Sequence, residues 1–330
     1  MFHKTVSIEL LEPVVYLRDA KDRRSVNLLH GHIKLYLRHP LTVQAITLRF
    51  VGSSKTIWPE DDEQYDKHTL VDSVIPIYCA PTVLQKGKTV FPFEILLSNT
   101  LSETIECELG RVHYKLQCQV HVKRWFNKIL KTQHPVILVR APNADAPRSF
   151  MHTTFIQGSP FLTTIETLHL TPGLSLALSF SFARSAVIHS IVVKLIERQK
   201  FRAPSKHTTR LLHHEITLAP NHNLAAEPCS GSENTFRYSY KVPNLVHPSA
   251  MHPLIRIRHW VQVTLILNLK DPHGQAFQEE LMIETPVSVL LRSIDDYITL
   301  PEYKQTSTSV LPVLSKRSPP PSYEGLLSSI

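Results

Sequence analysis

The residues whose types and spacing most clearly suggest chemistry lie near the end of the sequence, in the run Pro319-Pro320-Pro321-Ser322-Tyr323. Consecutive prolines hold the backbone near polyproline II, so a groove that captures the run loses less chain entropy. Polyproline II repeats every three residues, which places Pro320 and Tyr323 on one edge. Aromatic side chains of a groove can pack against both rings while the tyrosine hydroxyl stays free to hydrogen-bond. Pro320, Pro321 and Tyr323 therefore form a candidate peptide-recognition motif.

A second, related motif is Leu300-Pro301-Glu302-Tyr303. Leucine replaces the first proline here, so the bias of Leu300 and Pro301 towards polyproline II is weaker. Tyr303 would serve equally well as a packing contact for a neighbouring domain. If both motifs bind, two weak contacts on one segment raise the overall affinity through effective concentration.

Two groups of cations are candidate sites for acidic proteins or anionic membranes. The formal net charge is +8, and each cation near an anionic membrane surface contributes about 1 kcal/mol. The first group, which has Trp125 and Phe126 between its members, is Lys123, Arg124, Lys128 and Lys131. The second group follows a predicted strand and comprises Arg198, Lys200 and Arg202, with Lys206 and Arg210 beyond them. The alternative for each group is an ordinary solvated loop.

Residues suited to catalysis or metal binding lack the patterns that such sites need. The cysteines have no Cys-x-x-Cys spacing and are expected to be reduced thiols, more often buried than reactive; they are Cys79, Cys107, Cys118 and Cys229. The histidines have no zinc-ligating complement at a suitable spacing, and the closest pairs are His30 with His32 and His213 with His214. Motifs of hydrolases, phosphate loops and dinucleotide folds are missing from the sequence. We therefore predict no enzymatic activity, no cofactor and no metal.

The elements that would position these residues are β-strands. Apolar and polar residues alternate with a period of two along His113–Lys123, Leu174–Ala183 and Ile255–Lys270. Shorter alternating runs occur at Thr5–Leu10, Ile33–Arg38, Val43–Val51, Val187–Glu197 and Leu281–Leu290. Helical periodicity is nearly missing, and its best short candidate is Ser102–Glu108. Amphipathic strands separated by Pro, Asn and Asp predict an all-β protein of antiparallel, immunoglobulin-like sandwiches.

The length of 330 residues and the number of strands favour two tandem sandwiches over one. Turn-forming residues in 141–160 interrupt the alternation, so we predict an N-terminal sandwich in residues 1–145 and a C-terminal one in residues 146–292. Residues 219–249 are expected to connect strands within the second sandwich. Residues 293–330 have Ser, Thr and Pro with few core-forming residues, which predicts a disordered C-terminal tail.

The expected compartment is the cytoplasm. The first residues lack the apolar core and cleavage site of a signal peptide, and no run approaches the roughly 18 apolar residues of a membrane span.

Several segments of the sequence resemble the arrestin family, in the expected order. Those similar to the arrestin N-terminal domain are Gly31–Pro40, Val43–Gly52, Thr56–Trp58, Phe91–Leu97 and Gly110–Leu116. Those similar to the C-terminal domain are Ile191–Glu197 and Ile255–Gly274. Over roughly residues 1–292 the chain resembles a fungal α-arrestin, of the arrestin-related trafficking adaptor class.

This resemblance implies an adaptor and not a catalyst. Such adaptors recognise cytosolic regions of membrane transporters or receptors, and their tails recruit HECT-type ubiquitin ligases through WW domains, so that cargo is ubiquitinated and internalised. The PPxY and LPxY motifs above then become ligase-binding sites, formed by Pro320, Pro321 and Tyr323 and by Leu300, Pro301 and Tyr303. The resemblance also implies a cytoplasmic protein that is recruited peripherally to the plasma membrane or endosomes.

Two other interpretations compete with this one. An arrestin-like scaffold for vesicle sorting would use the same sandwiches without recruiting a ligase. Binding of nucleic acid rests only on the net charge and on the first group of cations, and we do not expect it.

Overall fold

The computed structural model describes residues 6–60, 65–123, 128–143, 145–182, 187–221, 227–228, 235–270 and 274–292. Strands make up nearly all of the regular structure in these ranges, together with one 3-10 turn, and this confirms the all-β prediction. None of the helical residues described forms a segment long and apolar enough to cross a membrane. The predicted tail, with both proline motifs, lies outside the described residues.

The first half of the chain folds into two sheets that pack into a sandwich. Its strands are β1 (Val6–Leu10), β2 (Val14–Leu17), β3 (Val26–Leu37), β4 (Leu41–Ile57), β5 (Tyr65–Tyr78), β6 (Thr82–Leu84), β7 (Gly87–Ser98), β8 (Ile105–Cys107), β9 (Gly110–Lys123) and β10 (Lys128–Arg140). One sheet has the order β1-β3-β7, and the other has the order β2-β10-β9-β4-β5, with β6 beside β4 and β8 beside β9. Alternate apolar side chains from both sheets, such as Leu35 and Leu116, are fully buried in one core.

The second half repeats this architecture. Its strands are β11 (Phe150–Ile156), β12 (Ser159–Ile165), β13 (His169–Leu170), β14 (Ser175–Phe182), β15 (Val187–Ala203), β16 (Thr208–Thr217), β17 (Ala219–Pro220), β18 (Glu227–Pro228), β19 (Thr235–Lys241), β20 (Ala250–Met251), β21 (Ile255–Lys270) and β22 (Ala276–Val289). The 3-10 turn Pro204–Lys206 connects β15 to β16. The sheets have the orders β11-β12-β14-β19-β17, with β18 beside β19, and β13-β22-β21-β15-β16, with β20 beside β21.

The two sandwiches share apolar contacts at one end of β15 and β21. Phe201 of β15 and Ile255 of β21 belong to the core of the first sandwich, whereas Leu195 and Val261 on the same strands belong to the second core. A Cβ atom at Gly110 would lie only 2.8 Å from Ile255 Cδ1 and 3.0 Å from Phe201 Cε1. The long strands therefore carry the second sandwich into direct apolar contact with the first.

Polar contacts reinforce this junction. The Met251 N–H donates to Glu103 Oε1 at 3.1 Å, and the same carboxylate forms an ion pair with Arg140 at 3.3 Å. The Ser205 N–H donates to Oδ2 of the buried Asp66 at 3.2 Å. The hydrogen bonds of Glu103 with Met251 and of Asp66 with Ser205 each join one sandwich to the other.

Three segments contain strands that the alternation in the sequence did not reveal. Ser102–Glu108 is not helical, because Ile105–Cys107 forms β8 and pairs with β9. The interruption predicted in residues 141–160 contains β11, an edge strand whose exposed Met151 and Phe155 obscure the alternation. The connection predicted in residues 219–249 contains β19, which pairs with β14 along seven residues. Half-buried aromatic side chains and flanking turn residues concealed this strand.

Gly52 on β4 is required by close packing, and Gly52→Ala should destabilise the first sandwich. A Cβ atom there would overlap the ring of Tyr114, which lies directly opposite on β9, and would lie 2.9 Å from Val71 Cγ1. The Tyr114 ring is held in place because it stacks on Phe50 and its hydroxyl donates to the Ser102 carbonyl at 2.8 Å. Overpacking of this kind costs about 1–3 kcal/mol.

Urea denaturation of the purified chain measures this effect. Adding Tyr114→Leu to Gly52→Ala provides the control, because a smaller side chain at residue 114 restores room for the methyl group. A negative coupling energy between the two changes is expected. A Gly52→Ala protein as stable as the wild type would contradict the packing argument.

Candidate functional site

Three members of the second predicted group of cations lie on the outer face of the sheet that contains β15 and β21, because β15 continues beyond the predicted strand end at Glu197 to Ala203. On β15, Arg198, Lys200 and Arg202 alternate with buried residues, so their side chains point away from the core. Arg256 and Arg258 do the same on the neighbouring β21. We call these five residues the basic face. Arg256 and Arg258 are 50 or more residues away in sequence from the three cations of β15, and only strand pairing brings the two sets together.

Like charges face each other across the two strands. Arg198 is directly opposite Arg258, and Lys200 is directly opposite Arg256. Side chains in such positions have Cβ atoms about 4.5–5.5 Å apart, so like charges there destabilise the sheet. Among the described residues, none of the five cations has an ion-pair partner. The basic face is therefore an arrangement that opposes stability and leaves its positive charge available to another molecule.

Aromatic and apolar side chains border the basic face. The Arg198 guanidinium lies 4.7 Å from the centre of the Trp260 ring, which favours a fixed orientation through a cation–π contact. Leu211 on β16 lies opposite Lys200 and is 71% exposed. On the other side, Met251 on β20 lies opposite Arg256 and is 59% exposed. The surface thus combines central cations with apolar contacts on both sides.

Arg256 and Arg258 were not identified as site residues from the sequence. The available signal was their position on the polar side of the alternating run Ile255–Lys270. Charge on the polar side of a strand is usual, so the pattern alone does not mark a site. The register of β21 against β15 gives these two arginines their significance.

Arg210 and Lys206 do not belong to the basic face. Arg210 lies opposite the buried Phe201, so it extends to the other side of the sheet, where it pairs with Glu60 and lies 5.3 Å from the Trp58 ring centre. Lys206 is in the 3-10 turn. Both contribute to an open cleft of about 740 Å³ whose other lining residues are Trp58, Glu60, Thr208, Thr209 and Leu211. The charge of Arg210 is thus used within the protein.

The fold brings only part of the first predicted group of cations onto one surface. Lys123 at the end of β9 and Lys131 on β10 are exposed on the same outer face. The backbone position of Lys128 is opposite the buried Val122, which belongs to the other face of the sheet. Arg124, together with the aromatic pair next to it, lies outside the described residues. Lys123 and Lys131 alone are too few to form a comparable surface.

A buried charged cluster lies on the inner face of the strands that carry the basic face. Glu197 on β15 is 2% exposed and directly opposite His259 on β21. Its carboxylate lies 3.0 Å from His259 Nε2 and 2.9 Å from Nδ1 of His247, which is in the loop between β19 and β20. Gln199 Nε2 and the His247 N–H also donate to this carboxylate. We call these residues the Glu197 cluster.

Hydrogen bonding keeps the buried Glu197 carboxylate ionised. Burial by itself would raise the pKa of Glu197, but the hydrogen bonds from His247, His259 and Gln199 outweigh it and hold that pKa well below its usual range. The hydrogen bond to Glu197 raises the pKa of His247 against the opposing effect of burial, and nearby Glu108 acts in the same direction. The cluster is therefore a buried, hydrogen-bonded link between β15, β21 and the loop that covers them.

The Glu197 cluster resembles a hydrolytic triad in connectivity only. Ser249 Oγ lies 2.9 Å from His259 Nδ1, which gives the order Ser249, His259, Glu197. The Ser249 hydroxyl also accepts the Val289 N–H at 2.9 Å, and the His259 side chain has no exposed surface. A substrate has no access to such an imidazole, so the role of the cluster is structural. The sequence did not reveal it, because its members are separated by tens of residues.

The cysteines and the potential metal ligands are the other candidates for chemistry. Burial raises the pKa of Cys107 and that of Cys118 to about 12, so both thiols stay protonated and are poor nucleophiles. Cys79 is exposed, unlike the buried thiol that the sequence favours, and Cys229 lies outside the described residues. Within the part of the chain that the structure covers, no group of three His, Cys, Asp or Glu side chains is arranged to hold a metal ion.

Comparison with protein families agrees with the two sandwiches. The model of the arrestin (or S-antigen) N-terminal domain matches residues 24–142, and that of the arrestin C-terminal domain matches residues 171–293. The chain belongs to the arrestin family. Arrestin-family adaptors are non-enzymatic scaffolds, in agreement with the structural role of the Glu197 cluster.

Relatives of this arrestin-family chain occur in Schizosaccharomyces pombe. Two proteins named as arrestin-related trafficking adapters are each 23% identical to it, over 92% and 90% of the chain. A third, named as an arrestin domain-containing protein, is 25% identical over 84% of the chain. The matched regions span 57%, 72% and 50% of the respective relatives. The first relative is thus substantially longer than the region it shares with this chain.

Proposed function

We propose that this arrestin-family protein is a trafficking adaptor whose basic face binds acidic cytosolic segments of membrane transporters or receptors. The observation that carries the proposal is two pairs of directly opposed like charges, Arg198 with Arg258 and Lys200 with Arg256. A sheet gains nothing in stability from this arrangement, whereas an anionic ligand between the cations would relieve their repulsion. The names of two relatives, which describe trafficking adapters, agree with this role.

The chemistry of the basic face favours an acidic peptide that also carries apolar side chains. Carboxylates would pair with the arginines, which offer several N–H donors in a fixed plane. Leu211 and Met251 would contact apolar residues at either side of the segment. Such a segment on a membrane protein would bring this adaptor from the cytoplasm to the membrane surface, where the charge of the leaflet adds to the attraction.

Fluorescence anisotropy with a labelled peptide rich in Asp, Glu and Leu tests the proposal. We expect saturable binding that weakens as salt rises from about 50 mM to about 200 mM, because exposed charges are screened. A peptide with Gln and Asn in place of the acids should not bind. Equal binding of both peptides would overturn the proposal, as would binding only to vesicles of anionic lipid.

We also propose that the two motifs beyond the described residues recruit a HECT-type ubiquitin ligase. The support is the polyproline II bias of Pro320 and Pro321 before Tyr323, with Leu300, Pro301 and Tyr303 as a second, weaker contact. The adaptor would then link cargo on the basic face to a ligase, which leads to ubiquitination and endocytosis of the cargo. The two sandwiches, which we assign to residues 1–145 and 146–292, would supply the cargo-binding part.

A pull-down with recombinant WW domains tests ligase recruitment. Tyr323→Ala should remove most binding, and the double variant with Tyr303→Ala should remove the remainder, because each tyrosine ring fills a groove. Ser322→Ala serves as the matched control, since residue 322 does not share the edge formed by Pro320 and Tyr323. Full retention by the double variant would instead favour a scaffold for vesicle sorting that recruits no ligase.

A further inference from the structure

The edge strand β11 is an unpaired surface of unusual composition. It lies at the end of the sheet with the order β11-β12-β14-β19-β17, and its outer edge pairs with no other described strand. Its sequence, Phe-Met-His-Thr-Thr-Phe-Ile, has no proline and no acidic or basic residue other than one histidine. Met151 is 65% exposed and Phe155 is 70% exposed.

Other long edge strands of the protein are protected against edge-to-edge pairing. β5 and β7 each contain charged residues and a proline, and β16 contains Arg210 and Glu215. Charges and prolines on an edge are the usual means of preventing contact with another sheet. β11 lacks these features, and its β-branched and aromatic residues favour strand pairing.

The sequence of β11 is also complementary to itself. In antiparallel pairing of two copies, the one register that aligns all seven residues places Thr153 opposite Thr153. Met151 of each copy then lies opposite Phe155 of the other, and Phe150 lies opposite Ile156. The two exposed apolar residues of each copy thus cover those of its neighbour, on the same face of the sheet.

We propose that β11 is a homodimer interface, at which two copies of this chain pair antiparallel about a two-fold axis through Thr153. The pairing joins two five-stranded paths into one continuous sheet and supplies hydrogen-bond partners for the free backbone groups of β11. It also gives two contacts between a methionine sulfur and a phenylalanine ring. Seven paired residues bury less than the about 800 Å² per partner of a typical stable interface, so the dimer dissociates on dilution.

The net charge of +8 on each copy affects this association. Repulsion between the copies is strongest at low salt and is screened over about 8 Å at physiological ionic strength. Because the contact itself is apolar, added salt strengthens the dimer. This dependence is opposite to that of peptide binding at the basic face, so the two activities are distinguishable in one titration.

Site-specific cross-linking of the full chain tests the register. Thr153→Cys is made in a Cys79→Ser background, which removes an exposed thiol, and is treated with a short bis-maleimide. We expect covalent dimers whose cross-linked peptide, identified by mass spectrometry, joins residue 153 to residue 153. Thr209→Cys in the same background is the matched control, because residue 209 is an exposed threonine on the protected edge strand β16. Equal yields from both variants, or no dimer from Thr153→Cys, would overturn the proposal.

Charge exchange provides an independent test by sedimentation velocity. Met151→Lys and Phe155→Glu should each reduce the dimer fraction at least about tenfold, since each places a charge against an apolar residue. The double variant should restore the dimer, because the proposed register pairs each lysine with a glutamate of the other copy. Both side chains are exposed, so circular dichroism should show folded proteins. A double variant that stays monomeric, or single variants that dimerise as the wild type does, would refute the register.

Discussion

Glu197→Ala should lower the free energy of unfolding by about 3–5 kcal/mol, the cost of breaking a buried ion pair by removing one partner. The carboxylate accepts hydrogen bonds from His247, His259 and Gln199, all of which would lose a buried acceptor. The loss includes the link between β15, β21 and the loop before β20. Urea denaturation followed by far-ultraviolet circular dichroism measures the change.

Glu215→Ala is the matched control for this prediction. Glu215 lies on the adjacent β16, but it is exposed and paired with Lys194 and His213 at the surface. Removing an exposed pair of this kind changes stability by about 1 kcal/mol or less. Similar losses for Glu197→Ala and Glu215→Ala would mean that the Glu197 cluster adds no more than a surface pair.

The pH dependence of the free energy of unfolding separates the contribution of the Glu197 charge from that of its packing. The pKa of His247 is raised by Glu197, so its contribution to stability is complete at low pH and is lost as pH rises through that value. The pKa of Glu197 is lowered, so it stays ionised over this range. The stability difference between wild type and Glu197→Gln should therefore be larger near pH 6 than near pH 8. The pKa values of His113, His169 and His252 are lowered by burial, and their effects, present in both proteins, cancel in this difference.

The second large effect concerns the basic face. Replacing Lys200, Arg256 and Arg258 with threonine should weaken binding of the acidic peptide by about a hundredfold, at about 1 kcal/mol for each cation. The same change should raise the free energy of unfolding by about 0.5–2 kcal/mol, because it removes both pairs of opposed like charges. Threonine also suits a strand with one solvated face. We therefore expect the triple variant to bind the peptide more weakly than the wild type and, at the same time, to be more stable.

A control with the same loss of net charge is required here. Lys67, Lys86 and Lys88 are exposed cations of the first sandwich, and their replacement by threonine removes three charges without affecting β15 or β21. Peptide affinity should fall by less than about threefold, through the long-range field alone. If the two triple variants bind the peptide equally well, the protein recognises acids by net charge and has no defined basic face.

Much of the fold follows from local patterns in the sequence. In β9 and β21, every second residue is buried along 14 and 16 residues respectively, and both strands were predicted from that alternation. β11 and β19 were missed, because exposed or half-buried aromatic side chains weaken the contrast between their two faces. Alternation reports how unequally the two faces of a strand are solvated, so it fails where both faces are partly covered.

The sequence by itself determined that this protein consists of amphipathic strands, because side-chain direction in a strand repeats every two residues. It ended one predicted strand at Glu197, whereas β15 continues to Ala203, so the structure decided that Arg198, Lys200 and Arg202 share one polar face. Only the tertiary structure decided that Arg256 and Arg258 complete that surface, that Glu197 meets His259 behind it, and that β11 is an unprotected edge. Each of these depends on which strands are neighbours and in which register they pair. Neighbours and register are set by contacts between distant parts of the chain, which no local pattern encodes.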